Sequence, residues 1–227
     1  MNAKGQSTWV APFCICKSLI FCFEVGVLAD LSLSRLFFAS LRNGIDMEKL
    51  VKLGDRSFRL YKSENEILSY VKAVAHQINA DYIGKRPLIV PVLNGSFMFA
   101  ADLLKELKLD CEISFIKVVS YHGTASNGQA ATLIGLNQNI EGRHVIVVED
   151  IVDTGHTLAK ILPQLLQQNP VSLKVASLLF KPLALRANVK VDYVGQEIPN
   201  DFIVGYGLDY NGLGRNLRDI YQVIEEE

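Results

Sequence analysis

The segment VIVVEDIVDTGHTL, residues 145–158, constrains the fold more than any other stretch of the chain. Val145, Ile146, Val147 and Val148 form an uninterrupted β-branched apolar run. A strand with one wet face alternates, so a continuous run points to a strand buried on both faces of a parallel sheet. Glu149, Asp150 and Asp153 follow, then the short turn Thr154-Gly155-His156-Thr157. Leu158, Ile161, Leu162, Leu165 and Leu166 then recur at helical spacing. A strand, an acidic edge, a turn of small and hydroxyl residues and a helix in direct succession make a βα unit.

The chemistry follows from the parts. A helix N-terminus offers unsatisfied N–H groups and the positive end of the macrodipole, a ready site for a phosphate, and the hydroxyls of Thr154 and Thr157 add donors. Acids beside such a site repel the phosphate unless they grip hydroxyl groups or a cation. A vicinal sugar diol donates two hydrogen bonds, and an ionised carboxylate accepts both. The pattern therefore suggests a phosphorylated sugar as ligand, with Mg²⁺ balancing charge. The alternative is a plain Rossmann-like unit whose acids only cap the helix.

Length and charge narrow the options. With 227 residues of which 49% are hydrophobic, the chain can bury a sizeable core in one α/β domain. A net charge of −1 gives no reason to expect nucleic acid or an anionic membrane as partner. Cys14, Cys16 and Cys22 crowd the N-terminus and only Cys111 lies in the body, which is no disulfide framework and fits a cytoplasmic chain. The first 46 residues lack clear periodicity, and Lys17, Glu24, Asp30 and Arg35 break each apolar run short of the roughly 20 residues of a membrane span. Glu24 also cuts short the only run that resembles a secretory signal. We expect residues 1–46 to be a non-catalytic extension, with Met47 able to serve as a start, and residues 47–227 to form the functional domain.

From Phe58 the pattern becomes regular. Ser63 and Glu66 form a capping box ahead of a helix with Ile67, Val71, Val74 and Ile78 on one face. Leu88–Leu93 reads as a buried strand, Asn94-Gly95-Ser96 as a tight turn, and Phe97–Leu107 as a helix, giving a second βα unit ahead of the first. Cys111–Val119 is expected as one strand, His122–Ala131 as a loop, Thr132–Leu136 as a short strand and Val171–Phe180 as a core strand ending at Lys181-Pro182. A lysine at a strand's carboxyl end lies on the ligand side of an open α/β sheet. Taken singly, Lys181 reads as a solvated surface charge, Asn94-Gly95 as a turn and Phe202 as core packing.

Residues 145–158 resemble the phosphoribosyl-pyrophosphate (PRPP) motif of the type I phosphoribosyltransferases. The order EIP, Phe202, VGYGLDYN and Arg215 between Val191 and Asp219 is similar to the hypoxanthine-guanine branch of that family. The resemblance runs from about Lys52 to the C-terminus. It implies an α/β fold, an open, mostly parallel twisted sheet with helices on both faces, plus a small hood. It also implies purine salvage, with transfer of the phosphoribosyl group of PRPP to hypoxanthine or guanine and release of pyrophosphate.

Carried over by position, Glu149 and Asp150 hold the ribose hydroxyls and Mg²⁺, and Asp153 is the proton-transfer group. Thr154, Gly155, His156 and Thr157 hold the 5-phosphate. Asn94, Gly95 and Arg215 serve the pyrophosphate, and Ser120 and Tyr121 close over it as a lid. Lys181 donates to the purine 6-oxo group, Phe202 stacks on the ring, Ile203 offers backbone hydrogen bonds to its edge, and Asp209 serves Mg²⁺ through water. Asn94 stands where some members carry a lysine, and His156 where a basic residue is frequent. A homodimer or homotetramer is implied. The competing readings are the same chemistry with xanthine as base, or a regulatory binding module that keeps the fold without catalysis. The latter typically carries a basic DNA-binding segment, which this chain lacks.

Overall fold

The computed structural model describes residues 50–119, 132–136 and 138–224. The expectations for residues 1–46 and for Ser120 and Tyr121 lie outside the described residues.

An antiparallel hairpin, β1 (Leu50–Leu53) and β2 (Arg56–Lys62), opens the described chain. Helix α1 (Glu64–Asp81) begins at Ser63, whose hydroxyl accepts from the Glu66 N–H while the Glu66 carboxylate accepts from the Ser63 N–H, the reciprocal cap expected from the sequence. Strand β3 (Leu88–Leu93) leads through Asn94-Gly95-Ser96 into α2 (Phe97–Glu106). The single strand expected over Cys111–Val119 is instead two short ones, β4 (Glu112–Ile113) and β5 (Ile116–Val119), both parallel to β3. Between them the Ser114 N–H still donates to the Ile89 carbonyl, and Gly135 packs so tightly on the Phe115 carbonyl that a Cβ would lie 2.5 Å from it. The chain therefore follows β3 past a kink rather than as one regular strand.

Strand β6 (Thr132–Ile134) returns antiparallel to β5. Then come β7 (His144–Val152), α3 (His156–Leu166), β8 (Ser172–Phe180) and β9 (Tyr193–Glu197). The main sheet has the order β6-β5-β3-β7-β8-β9, and only β6 runs antiparallel to its neighbour. The last strands, β10 (Ile203–Val204) and β11 (Ile220–Val223), join the N-terminal hairpin in a second sheet, β1-β2-β11-β10.

The double-sided burial of β7 is literal. Ile146 and Val148 pack with Ile67, Val71 and Phe99 from α1 and α2, while Val145 and Val147 pack with Leu158, Ile161 and Leu165 of α3. Successive residues of a strand face opposite ways, so a strand between two helical layers must be apolar throughout. The helices thus cover both faces, and Phe58, Val204 and Tyr221 form a separate small core under the second sheet. The family resemblance implied this hood; the pairing of its N- and C-terminal strands is what builds it.

Candidate active site

Strand order fixes where a ligand can sit. From β3 the chain passes to β5 on one side, and from β7 it passes to β8 on the other. The loops after β3 and β7 consequently diverge and leave a crevice at the carboxyl ends of the strands, the topological switch point where open α/β sheets bind ligands. Both βα turns singled out in the sequence open onto it.

Glu149 and Asp150 lie within β7, ahead of its last residues Ile151 and Val152, and Asp153 follows the strand, so the acids are not a separate edge after it. Glu149 is buried and in register with Ser177 of β8. Burial, with Asp150 next to it, pushes its carboxyl well above the usual range. Asp150 is raised to about 6, again chiefly by burial, although the Ile151 N–H donates to its Oδ1 at 3.0 Å and Arg215 pulls the other way. Two carboxylates that resist ionisation, Glu149 buried and Asp150 partly so, form a site short of positive charge or hydroxyl donors.

The first turn presses against the second. The Leu93–Asn94 peptide is cis, and a Cβ on Gly95 would lie 1.7 Å from Asp150 Oδ2. Only a glycine lets this backbone approach the carboxylate. A third segment meets them: a Cβ on Gly207 (φ 100°) would lie 2.0 Å from the Gly95 carbonyl. Arg215 reaches back over this loop, donating to the Gly207 carbonyl at 2.7 Å and pairing with Asp209, whose other oxygen accepts from the Gly212 N–H. The structure thus gathers Asn94-Gly95, Asp150, Asp209 and Arg215 around one crevice. Glu149, Asp150 and Asp209 do not form a compact metal-binding cluster; among the described residues no three acids, histidines or cysteines do.

The turn after β7 leads directly into a helix. Gly155 caps α3 from the left-handed region (φ 77°) without a side-chain cap, which leaves the first N–H groups of the helix to a ligand. Its Cα is wedged against Leu185 and Val189, 2.9 Å from where a Cβ would stand. Thr154, His156 and Thr157 are exposed, and residues 149–158 line a cavity of about 270 Å³.

Beyond the turn, Lys181 is buried and its ammonium lies 2.9 Å from Asp153, whose side chain is 46% exposed. The sequence separates these residues by a helix and a strand; the parallel pairing of Val152 with Phe180 sets their strand ends side by side. Phe202 is half-exposed and meets Tyr210 edge-on at 5.9 Å, with Phe58 behind them. Ile203 is buried in β10, next to a Phe202 carbonyl that already accepts from the Val223 N–H.

Residues 60–211 match the phosphoribosyl transferase domain family. A hypoxanthine-guanine phosphoribosyltransferase of Streptococcus agalactiae is 45% identical over 166 residues, covering 73% of this chain and 92% of that protein. This chain belongs to the hypoxanthine-guanine phosphoribosyltransferase family. Among solved structures, the Bacillus anthracis hypoxanthine-guanine phosphoribosyltransferase superposes with a TM-score of 0.66 at 39% identity, over 73% of this chain and 96% of that one. The Trypanosoma cruzi hypoxanthine phosphoribosyltransferase in complex with the product IMP gives 0.68 at 38% identity, over 77% and 97%. Residues 145–158, at the crevice just described, lie within the matched span.

Sequence reasoning missed two contributors. Gly207 appeared only as part of a family motif, and its contact with Gly95 links residues more than a hundred positions apart. Tyr206 likewise stood only within that motif and was given no role, although a tyrosine between two glycines is a signal of a special turn; its hydroxyl donates to Asp102 of α2 at 2.6 Å.

Proposed function

We infer that the chain transfers the 5-phosphoribosyl group of PRPP to hypoxanthine or guanine, giving IMP or GMP and pyrophosphate. Besides family membership, the observation that carries this reading is the Asp153–Lys181 pair beside the α3 N-terminus. One site then offers an anion cradle, a proton acceptor and a buried cation aimed at the same space. A purine needs the last two at adjacent atoms of its edge, N7 and the 6-oxo group.

In the reaction, N9 of the base bonds to the anomeric carbon as pyrophosphate leaves, and positive charge develops on the ribose. The backbone donors from Gly155 to Thr157 hold the 5-phosphate. Glu149 and Asp150 accept from the ribose hydroxyls, and their negative charge suits the developing sugar cation. Asp153 accepts or shares the N7 proton as the base becomes nucleophilic. Lys181 holds the 6-oxo group, Phe202 stacks on the ring, and the Ile203 backbone meets its edge. Asn94, Gly95 and Arg215 receive the departing pyrophosphate, and Ser120 and Tyr121 cover it against water.

The oxygen-only donors fit Mg²⁺, which commonly takes one or two carboxylates together with substrate phosphates. Glu149 and Asp150 would hold it, with Asp209 acting through water, and when bound it supplies charge neutralisation for the pyrophosphate. Fit is also supported by the reluctance of both acids to ionise unaccompanied.

We further propose a cytoplasmic homodimer or homotetramer in which residues 47–227 carry the activity and residues 1–46 a non-catalytic extension. No helix among the described residues is long and apolar enough to cross a membrane. Light scattering coupled to size exclusion tests the assembly. A spectrophotometric assay with PRPP, Mg²⁺ and each of hypoxanthine, guanine, xanthine and adenine tests the reaction. Turnover on the first two supports the assignment, xanthine alone shifts the base, and none with any base refutes it.

A further inference from the structure

The loop from Gly205 to Arg215 brings Asp209 and Arg215 to the crevice, yet it belongs to the hood end of the chain, while the pyrophosphate turn belongs to β3 and α2. Something must hold the two in register. Gly205, Tyr206 and Gly207 all have positive φ, 101°, 49° and 100°. For tyrosine this backbone is uncommon and costs energy. Glycine at the middle position would remove that cost, so the side chain must contribute something there. It is buried, with 2% of its surface exposed. Its hydroxyl donates to Asp102 Oδ2 at 2.6 Å, a short charge-assisted bond. Asp102 is itself fixed by Lys105, 2.8 Å from its other oxygen.

The backbone around Tyr206 is tied as closely. The Tyr206 N–H donates to the Leu217 carbonyl at 2.9 Å and the Gly207 N–H to the Arg215 carbonyl at 3.0 Å. The guanidinium of Arg215 returns to the Gly207 carbonyl. Residues 205–215 are thus a closed loop with two anchors on the β3–α2 unit, the Gly95–Gly207 backbone contact and the Tyr206–Asp102 bond. One point contact leaves a loop free to pivot; two fix its orientation.

We propose that Tyr206 and Asp102 are positioning residues that hold Asp209 and Arg215 in register with Gly95 and Asp150, and so set affinity for the pyrophosphate end of PRPP. Neither touches substrate. Burial and the facing Asp102 push the Tyr206 phenol far above its usual range, so it stays a donor at any working pH. Of the purine contacts, Lys181 and Asp153 hang from β7 and β8, while Phe202 and Ile203 precede the loop at β10, which is held by its pairing with β11. This inference rests on the PRPP reading above.

The test measures Mg²⁺–PRPP binding by titration calorimetry, without turnover, on the full chain and on Tyr206→Phe, Asp102→Leu, Asp102→Asn and the Tyr206→Phe/Asp102→Leu double variant. Phenylalanine keeps the ring and backbone strain and removes only the bond. Tyr206→Phe and Asp102→Leu should each weaken PRPP binding about 5- to 20-fold, the range for losing a hydrogen bond to a charged group, and the double variant no further. Asp102→Asn keeps an acceptor and should bind within about twofold of the parent. The KM for hypoxanthine at saturating PRPP should move less than PRPP affinity in all four. Equal PRPP affinity in parent and Tyr206→Phe overturns the proposal, as does a parallel loss for both substrates that follows a fall in Tm. Absence of PRPP binding by the parent chain refutes the functional reading itself, a result distinct from both.

Discussion

At the scale of single residues, Asp150 shows what the site gives up in stability. Its usual value of 3.8 is raised to about 6 in the fold by burial. A raised acid is protonated more readily folded than unfolded. Stability therefore falls as pH rises from about 4 to about 6, by roughly 3 kcal/mol in total, and stays lost above that window. Asp150→Asn removes the charge and keeps the shape. With EDTA and no ligand, its Tm should exceed the parent's at pH 8 and approach it at pH 4, while PRPP binding is lost. A Tm difference that does not vary with pH would contradict this. The same carboxylate must ionise to hold a cation, so PRPP affinity of the parent should weaken as pH drops below about 6. Asp153 acts differently, being half-exposed and paired with Lys181. Asp153→Asn should lose about 10²–10⁴-fold in turnover, the range for a general base, with IMP still bound. An unchanged rate removes the role.

At the scale of elements, the turns are built to approach one another, and glycine is the device. Gly95 lets its turn lie on Asp150, and its carbonyl is where Gly207 comes closest. Gly95→Ala inserts a methyl group into the Asp150 carboxylate, so the turn must move by an ångström or more. Displacement of that size costs about 10²-fold in turnover. Steady-state kinetics should show the loss with Tm within a few degrees of the parent; near-normal kcat/KM for PRPP would mean that the turn is free to adjust. The sequence displayed most of these elements. Apolar runs gave β3, β7 and β8, the Ser63–Glu66 cap gave α1, and helical spacing gave α2 and α3. It misjudged Cys111–Val119, because the break at Ser114-Phe115 packs against Gly135, which follows β6 and is distant in the sequence. It was silent on β1, β2, β10 and β11, short or half-exposed strands joined into one sheet by the pairing of β2 with β11 from the opposite end of the chain.

For the whole molecule, the family match spans residues 60–211 and the described hood adds strands on either side of it. The family match begins only after residues 1–46. Their deletion should leave kcat and both KM values within about twofold; a larger loss would assign them a catalytic role. Local structure was settled by sequence alone. A double-sided β7, acids near its end, a short turn and a helix are written in consecutive residues, because strand burial and helix termini depend on near neighbours. Only the tertiary structure decided what those acids face. The Asp153–Lys181 pair, the Gly95–Asp150 and Gly207–Gly95 contacts and the Tyr206–Asp102 bond each join segments far apart in the chain. Such contacts depend on strand order and loop path, and no local pattern encodes those.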